Sequence, residues 1–212
     1  MTNQYPLGKI IVKLQKAIAC GGMTRETIRT AVEELSKLGY KYDVEQFPPL
    51  MNTESYVDRS NESPSSLAEA LLWKLGKWKS YKRFASNYEN QFAKPTKTDV
   101  VFFAFAKHLK DKKNPIYDQH AIRALWAICG SLSNEEKVKC RSILFDKKNK
   151  WKDSTSGRNV IECYELFVRH INALVTKSDG ATLSEIDRLL MPLGQAIKKS
   201  TSSYEEFRAL LA

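Results

Sequence analysis

A chain of 212 residues that is 42% apolar can bury one well-formed domain or two closely packed lobes. No apolar run approaches the ~20 residues of a membrane span, and the N-terminal MTNQYPLGKIIVKLQKA lacks signal-peptide architecture, so a cytoplasmic protein without membrane contact is expected. The four cysteines are scattered, with no CxxC, and three histidines stand at no ligand spacing, so no metal or other cofactor is expected and the thiols read as free and buried.

Helical periodicity runs the length of the chain. Ile10, Ile11, Leu14 and Ile18 fall at helical spacing before Gly21-Gly22. Thr24 is placed to cap a helix carrying Ile28, Ala31, Val32 and Leu35, with Gly39 just past its end. Residues 40–65 hold Pro48-Pro49, Pro64 and a serine- and asparagine-rich run, which predicts an irregular connection. From Ser66 an amphipathic helix is expected to carry Leu67, Leu71, Leu72, Leu75 and Trp78 on one stripe. Further helices are predicted over 97–110, 119–129, 134–145, 158–176, 182–198 and 203–211. No strand alternation or internal repeat is present. The expected class is all-α: a single domain over 1–212, with an N-terminal helical lobe over 1–65 and a helical core over 66–212.

The net charge of +10 is unevenly spread. Residues 74–118 carry 11 basic and 4 acidic groups, and residues 137–158 carry 8 basic and 2 acidic groups. Clustered positive charge of this kind is the footprint of a polyanion, so DNA is the expected partner of a monomeric protein.

The chemistry concentrates between Thr96 and Gly130. Thr96-Lys97-Thr98-Asp99 fits a capping box, which puts Lys97 in the first helical position. There the helix dipole and the basic neighbours Lys94, Lys107 and Lys110 oppose its protonation, as a Schiff-base nucleophile requires. Asp118 reads as the N-cap of the next helix, after a segment that Pro115 forces to be extended. A helix over 97–110 carries the chain about 20 Å away, and eight extended residues return it by up to ~26 Å. Both helix starts can therefore lie at one end of a bundle. A carboxylate there can stabilise a sugar cation or orient a nucleophile. Read without that chemistry, Asp118 is a plain cap and Lys97 a solvated lysine.

The segment over 86–130 resembles the core of the helix-hairpin-helix DNA glycosylases, and within them the 8-oxoguanine glycosylase-like branch. The carrying residues are Lys97 and Tyr117-Asp118-Gln119-His120-Ala121-Ile122-Arg123, similar to that family's V-D-x-H-x-x-R pattern. By position, Lys97 resembles the lysine nucleophile and Asp118 the catalytic aspartate. The resemblance implies a duplex-DNA partner whose target base is flipped into a pocket, and cleavage of the N-glycosidic bond, with lyase activity if Lys97 attacks the sugar. It implies a role in DNA repair, acting on an oxidised purine, or in antiviral defence, acting on a hypermodified base; a bacterial member would be nucleoid-associated. Unlike the family's hairpin, the segment Tyr88 to Thr96 has no glycine, so Lys94, Thr96, Thr98 and the amides that follow are the expected phosphate contacts.

Around this centre, Lys147, Lys148, Lys150, Trp151 and Lys152 are expected to touch DNA from a loop. Trp73, Tyr81 and His120 are candidates for the base pocket, although aromatics near Trp78 also suit a core stripe and His120 also suits a packing role. The rival reading is a helical DNA-binding protein without chemistry, with 24–39 as a recognition helix. A weaker one is an RNA-binding or protein-interaction domain.

Overall fold

The computed structural model describes residues 4–42, 67–90, 94–97, 99–153 and 160–211, and every regular element among them is a helix. In chain order these are α1 (Gln4–Ala19), α2 (Arg25–Lys37), α3 (Leu67–Lys74), α4 (Trp78–Glu89), α5 (Val100–Lys110), α6 (Gln119–Ile128), α7 (Asn134–Leu144), α8 (Val160–Lys177), α9 (Leu183–Ser200) and α10 (Tyr204–Leu211). The all-α class is as expected. Most of the connection over 40–65 lies outside the described residues, as do residues 91–93 of the expected hairpin, Thr98 and the Trp73 side chain.

Capping residues set several helix starts. The Thr24 side chain accepts the Thr27 N–H, as the sequence predicts. Ser133 with Glu136, and Thr182 with Glu185, close reciprocal capping boxes on α7 and α9. Caps of this type each contribute about 1 kcal/mol.

Helix α6 is the hub. Residues 121–128 are all buried, and α6 packs against α1, α7, α8 and most extensively α9. From α1 come Leu7, Ile10, Ile11 and Leu14, all buried, and Gln15 donates to the Ala127 carbonyl at 2.8 Å. Each such buried Leu or Ile stabilises the fold by roughly 1.5–3 kcal/mol. The α6–α9 crossing depends on Gly194, where an added Cβ would lie 2.1 Å from the His120 carbonyl oxygen. Absence of a side chain there lets two backbones meet just inside the start of α6.

Helices α4 and α5 pack on each other, with Phe84 and Phe105 stacked 5.6 Å apart. Helix α5 reaches the core through α8, where Phe103 meets Tyr164 edge-on at 5.9 Å. Phe145, Tyr204 and Phe207 surround Trp126, and Trp151 packs on Phe145 and Phe207, so α10 closes the core there.

Two expected elements are corrected. The stripe from Ser66 to Trp78 is not one helix. Gly76 takes φ +67, and the Lys77 N–H turns back to the Leu72 carbonyl at 2.8 Å, ending α3 before α4 begins at Trp78. This is a glycine C-cap, which outweighs the apolar spacing that continues across it. The start of α5 also differs: the helix begins at Val100 with Asp99 as its N-cap, not at Lys97. Asp99 Oδ1 accepts the Thr96 N–H at 2.7 Å, so the acid holds a turn ahead of the helix.

Candidate functional site

The start of α6 gathers the chemistry. Pro115, Ile116 and Tyr117 are buried on the way in, and the chain is fixed from both sides. His108 Nδ1 donates to the Asn114 carbonyl at 2.8 Å, and the Ile116 N–H points to Asp187 Oδ2 at 3.4 Å. Asp118 then caps α6, its Oδ1 accepting the Ala121 N–H at 2.8 Å in extended backbone geometry, as the sequence predicts. It is half-buried, and its charge acts on Tyr42, Tyr117, His120, Arg123 and Asp187.

Asp187 is the unforeseen member. It is 1% exposed, on the buried face of α9. Burial raises its pKa to about 7 and Asp118 pushes the same way, against the Ile116 N–H. Tyr42 is the third member, its pKa raised to about 12 by burial and by both carboxylates. Near neutral pH, Tyr42 holds its proton and Asp187 is close to half protonated, both within the field of the half-buried Asp118. The legible signal was an acid between Ile186 and the pair Leu189-Leu190 on an amphipathic stretch; Tyr42 left no local signal.

His120 is half-buried one turn into this arrangement. Burial lowers its pKa, with Arg123 and Lys198 acting likewise and Asp118 opposing. Arg123 Nη1 donates to His120 Nδ1 at 3.1 Å and to the Gly194 carbonyl at 3.2 Å. Arg123 is fully buried, and burial lowers its pKa to about 10, so it remains a cation at neutral pH. Its Nε and Nη2 have no hydrogen-bond partner, and its Cζ lies 4.3 Å from the Trp151 ring centroid. A cation desolvated in this way is supported by the aromatic face and by Asp118.

Lys97 occupies an exposed turn three residues before α5, and no ion pair joins it to Asp118. The dipole argument for this lysine therefore loses its geometry. Lys94 and Thr96 are exposed in the same stretch. Tyr81 stacks on Trp78 at 5.5 Å within α4, which packs on α3 and α5, whereas Asp118 and His120 belong to α6. Lys107 and Lys110 border an open groove of about 410 Å³ with Phe103, Asp111, Asn114 and Tyr164. The Lys110 ammonium also donates to the Tyr88 carbonyl at 3.0 Å, closing the end of α4.

The second basic block forms a tight turn in the connection between α7 and α8. Phe145 and Trp151 pair across it, and Asp146 Oδ1 accepts the N–H groups of Lys148 and Lys150 at 2.8 and 2.9 Å. Asn149 takes φ 59 at its tip, and Lys147, Lys148 and Lys150 are exposed. Lys152 is half-buried and its Nζ donates to the Ser142 carbonyl at 2.6 Å. Trp151 donates its indole N–H to the Thr201 carbonyl at 2.7 Å and stacks on Phe145 at 4.0 Å. Its ring is half-buried within the protein, in the connection between α7 and α8 where the sequence places it. Helix α8 contacts both α5 and α7, so the two basic blocks flank a common neighbour.

Among the described residues no group of three His, Cys, Asp or Glu side chains is arranged to hold a metal, and no helix is long and apolar enough to cross a membrane. No family model, curated protein or solved structure matches the chain.

Proposed function

We propose that the protein is a DNA glycosylase of two helical lobes that excises a base by hydrolysis, with Asp118 at the reacting sugar. The observation that carries this reading is Asp118 itself: a half-buried carboxylate held at the mouth of the central helix, whose charge acts on Asp187 and Tyr42. One oxygen is engaged by the Ala121 N–H, and the other is left to act on a ligand. As the C1′–N bond lengthens, the carboxylate stabilises the sugar cation. It then takes a proton from the water whose oxygen bonds to C1′ and passes that proton to the departing base. The basic blocks on α4–α5 and on the α7 turn supply the attraction to duplex phosphates, and a flipped base is presented to the start of α6.

This is the monofunctional form of the reaction. The exposed position of Lys97 in a turn ahead of α5, away from the helix dipole, favours it over Schiff-base chemistry. Oxidised purines and hypermodified bases are the substrate classes to try first. The test is base release from duplex oligonucleotides carrying each lesion, followed by alkali cleavage and, separately, borohydride trapping. Release without a trapped adduct is expected. Salt-sensitive DNA binding with no release from any lesion would sink the enzymatic reading in favour of a binding protein in which Asp118 is a cap only.

A further inference from the structure

A second cluster lies at the other end of α6, about 16 Å from Asp118 along the helix axis by rise per residue. Cys129 ends α6, and its Sγ lies 3.6 Å from His170 Nδ1 on α8 and 3.1 Å from the Ser131 hydroxyl. The far side of the same imidazole, Nε2, lies 3.2 and 3.3 Å from the two carboxylate oxygens of Glu136 on α7. Three helices thus converge to align thiol, imidazole and carboxylate.

The order of the atoms fixes the chemistry. A carboxylate only accepts, so His170 Nε2 carries its proton toward Glu136. The Nδ1 lone pair is then directed at the thiol, where it can take the S–H proton. Glu136 is itself held: its Oε2 accepts the Ser133 N–H at 2.8 Å in the α7 capping box, and Arg169 pairs with its Oε1. Burial pushes its pKa up, but the Ser133 N–H, His170 and Arg169 outweigh that and leave it lowered. It stays a carboxylate at neutral pH and orients the base.

We propose that Cys129, His170 and Glu136 form a nucleophilic thiol site that reduces small hydroperoxides. Size is set by access: Cys129 is 3% exposed, while the adjoining Gly130 and Ser131 are exposed, so a small reagent reaches the sulfur past the turn and a bulky one does not. In the reaction His170 Nδ1 takes the thiol proton and the sulfur donates an electron pair to the distal peroxide oxygen. The O–O bond breaks, and the proton passes from His170 to the departing hydroxide or alkoxide. The sulfur is oxidised to a sulfenic acid, and the peroxide is reduced to water or an alcohol. The Ser131 hydroxyl stands beside the new S–OH group.

The chain carries its own controls. Cys20 is exposed, and Cys140 and Cys163 are buried side by side, where their mutual contact and burial push the Cys140 thiol far up. The full-length protein is treated with hydrogen peroxide in the presence of a cyclic dione that traps sulfenic acids. Each cysteine is then read by peptide mass spectrometry. Cys129 is expected to label at least ~10-fold faster than Cys140 and Cys163, and His170→Gln to remove that excess while Cys20 is unchanged, because positioned general bases contribute about 10²-fold or more. Glu136→Gln keeps the capping box, which accepts glutamine, and is expected to slow Cys129 labelling. If His170→Gln does not regain wild-type helicity, Glu136→Gln decides the matter. Labelling of Cys129 no faster than of the buried pair, or unchanged in the deciding variant, overturns the proposal.

Discussion

At the residue scale, Asp118 has two separable duties. Its Oδ1 caps α6 at the Ala121 N–H, and its charge faces Asp187 and Tyr42. Asparagine caps a helix about as well as aspartate, so Asp118→Asn is expected to unfold within about 0.5 kcal/mol of wild type yet lose base release. Asp118→Ala is expected to lose about 1 kcal/mol of stability as well. Denaturation midpoints and single-turnover base release measure the two duties independently; an Asp118→Asn protein that releases base at the wild-type rate leaves only the cap. Asp187 gives a second prediction. Burial lifts its pKa from 3.8 to about 7, so the folded state binds more protons than the unfolded state between those values. Its contribution to stability is therefore fully present below pH ~4 and declines as pH rises toward ~7. Asp187→Asn does not titrate, so between pH 4 and pH 8 it should gain on wild type by up to about 4 kcal/mol, at 1.36 kcal/mol per pKa unit. Urea denaturation of both proteins across that range checks it. Parallel profiles would mean that the Asp187 carboxylate ionises without penalty.

At the scale of elements, the α6–α9 crossing positions the site, because Gly194 meets the backbone of His120, two residues past Asp118. A Cβ at Gly194 must push the helices apart at the carbonyl, which is backbone and cannot rotate away. Gly194→Ala is expected to cost about 3 kcal/mol, at the high end of overpacking effects, and to weaken base release beyond that loss. Gly130→Ala, where a Cβ meets nothing within 4 Å, is the control expected to leave the melting temperature unchanged. This crossing also shows how far local sequence carries. Thr24 and Asp118 announce their helices because a cap is read within one turn of chain. The box pattern at Thr96 misleads for the same reason: the Asp99 carboxylate satisfies the Thr96 N–H from outside the helix. Gly76 interrupts a stripe that periodicity alone carries on to Trp78. The pairing of Asp187 with Ile116, 71 residues apart, has no local signature, and neither has the convergence of Cys129, Glu136 and His170 from three helices. What sequence supplied there was residue type; packing supplied proximity.

At the scale of the whole molecule, the excess charge is carried by two blocks, each including residues of a helix packed on α8. The Lys147–Lys150 turn is the better defined of the two. Asp146 binds the backbone N–H groups of Lys148 and Lys150, so the acid shapes the turn while the lysine side chains project outward. Surface ammonium groups on a preformed turn can meet phosphates with little further ordering of the backbone. Each phosphate neutralised releases counterions and adds about 0.9 to the slope of log K against log salt. Wild-type binding to duplex DNA should therefore weaken steeply between low and physiological salt. Replacing Lys147, Lys148 and Lys150 by alanine should reduce that slope by up to about 3, at one phosphate each, without lowering the melting temperature. Lys152 is left in place because its Nζ closes onto the Ser142 carbonyl, so its loss would mix folding with binding. Fluorescence anisotropy of a labelled duplex over a salt series gives both slopes. A wild-type affinity indifferent to salt would remove DNA as the partner. A triple variant with the wild-type slope would confine the contact to the α4–α5 block, where Lys107 and Lys110 border the open groove.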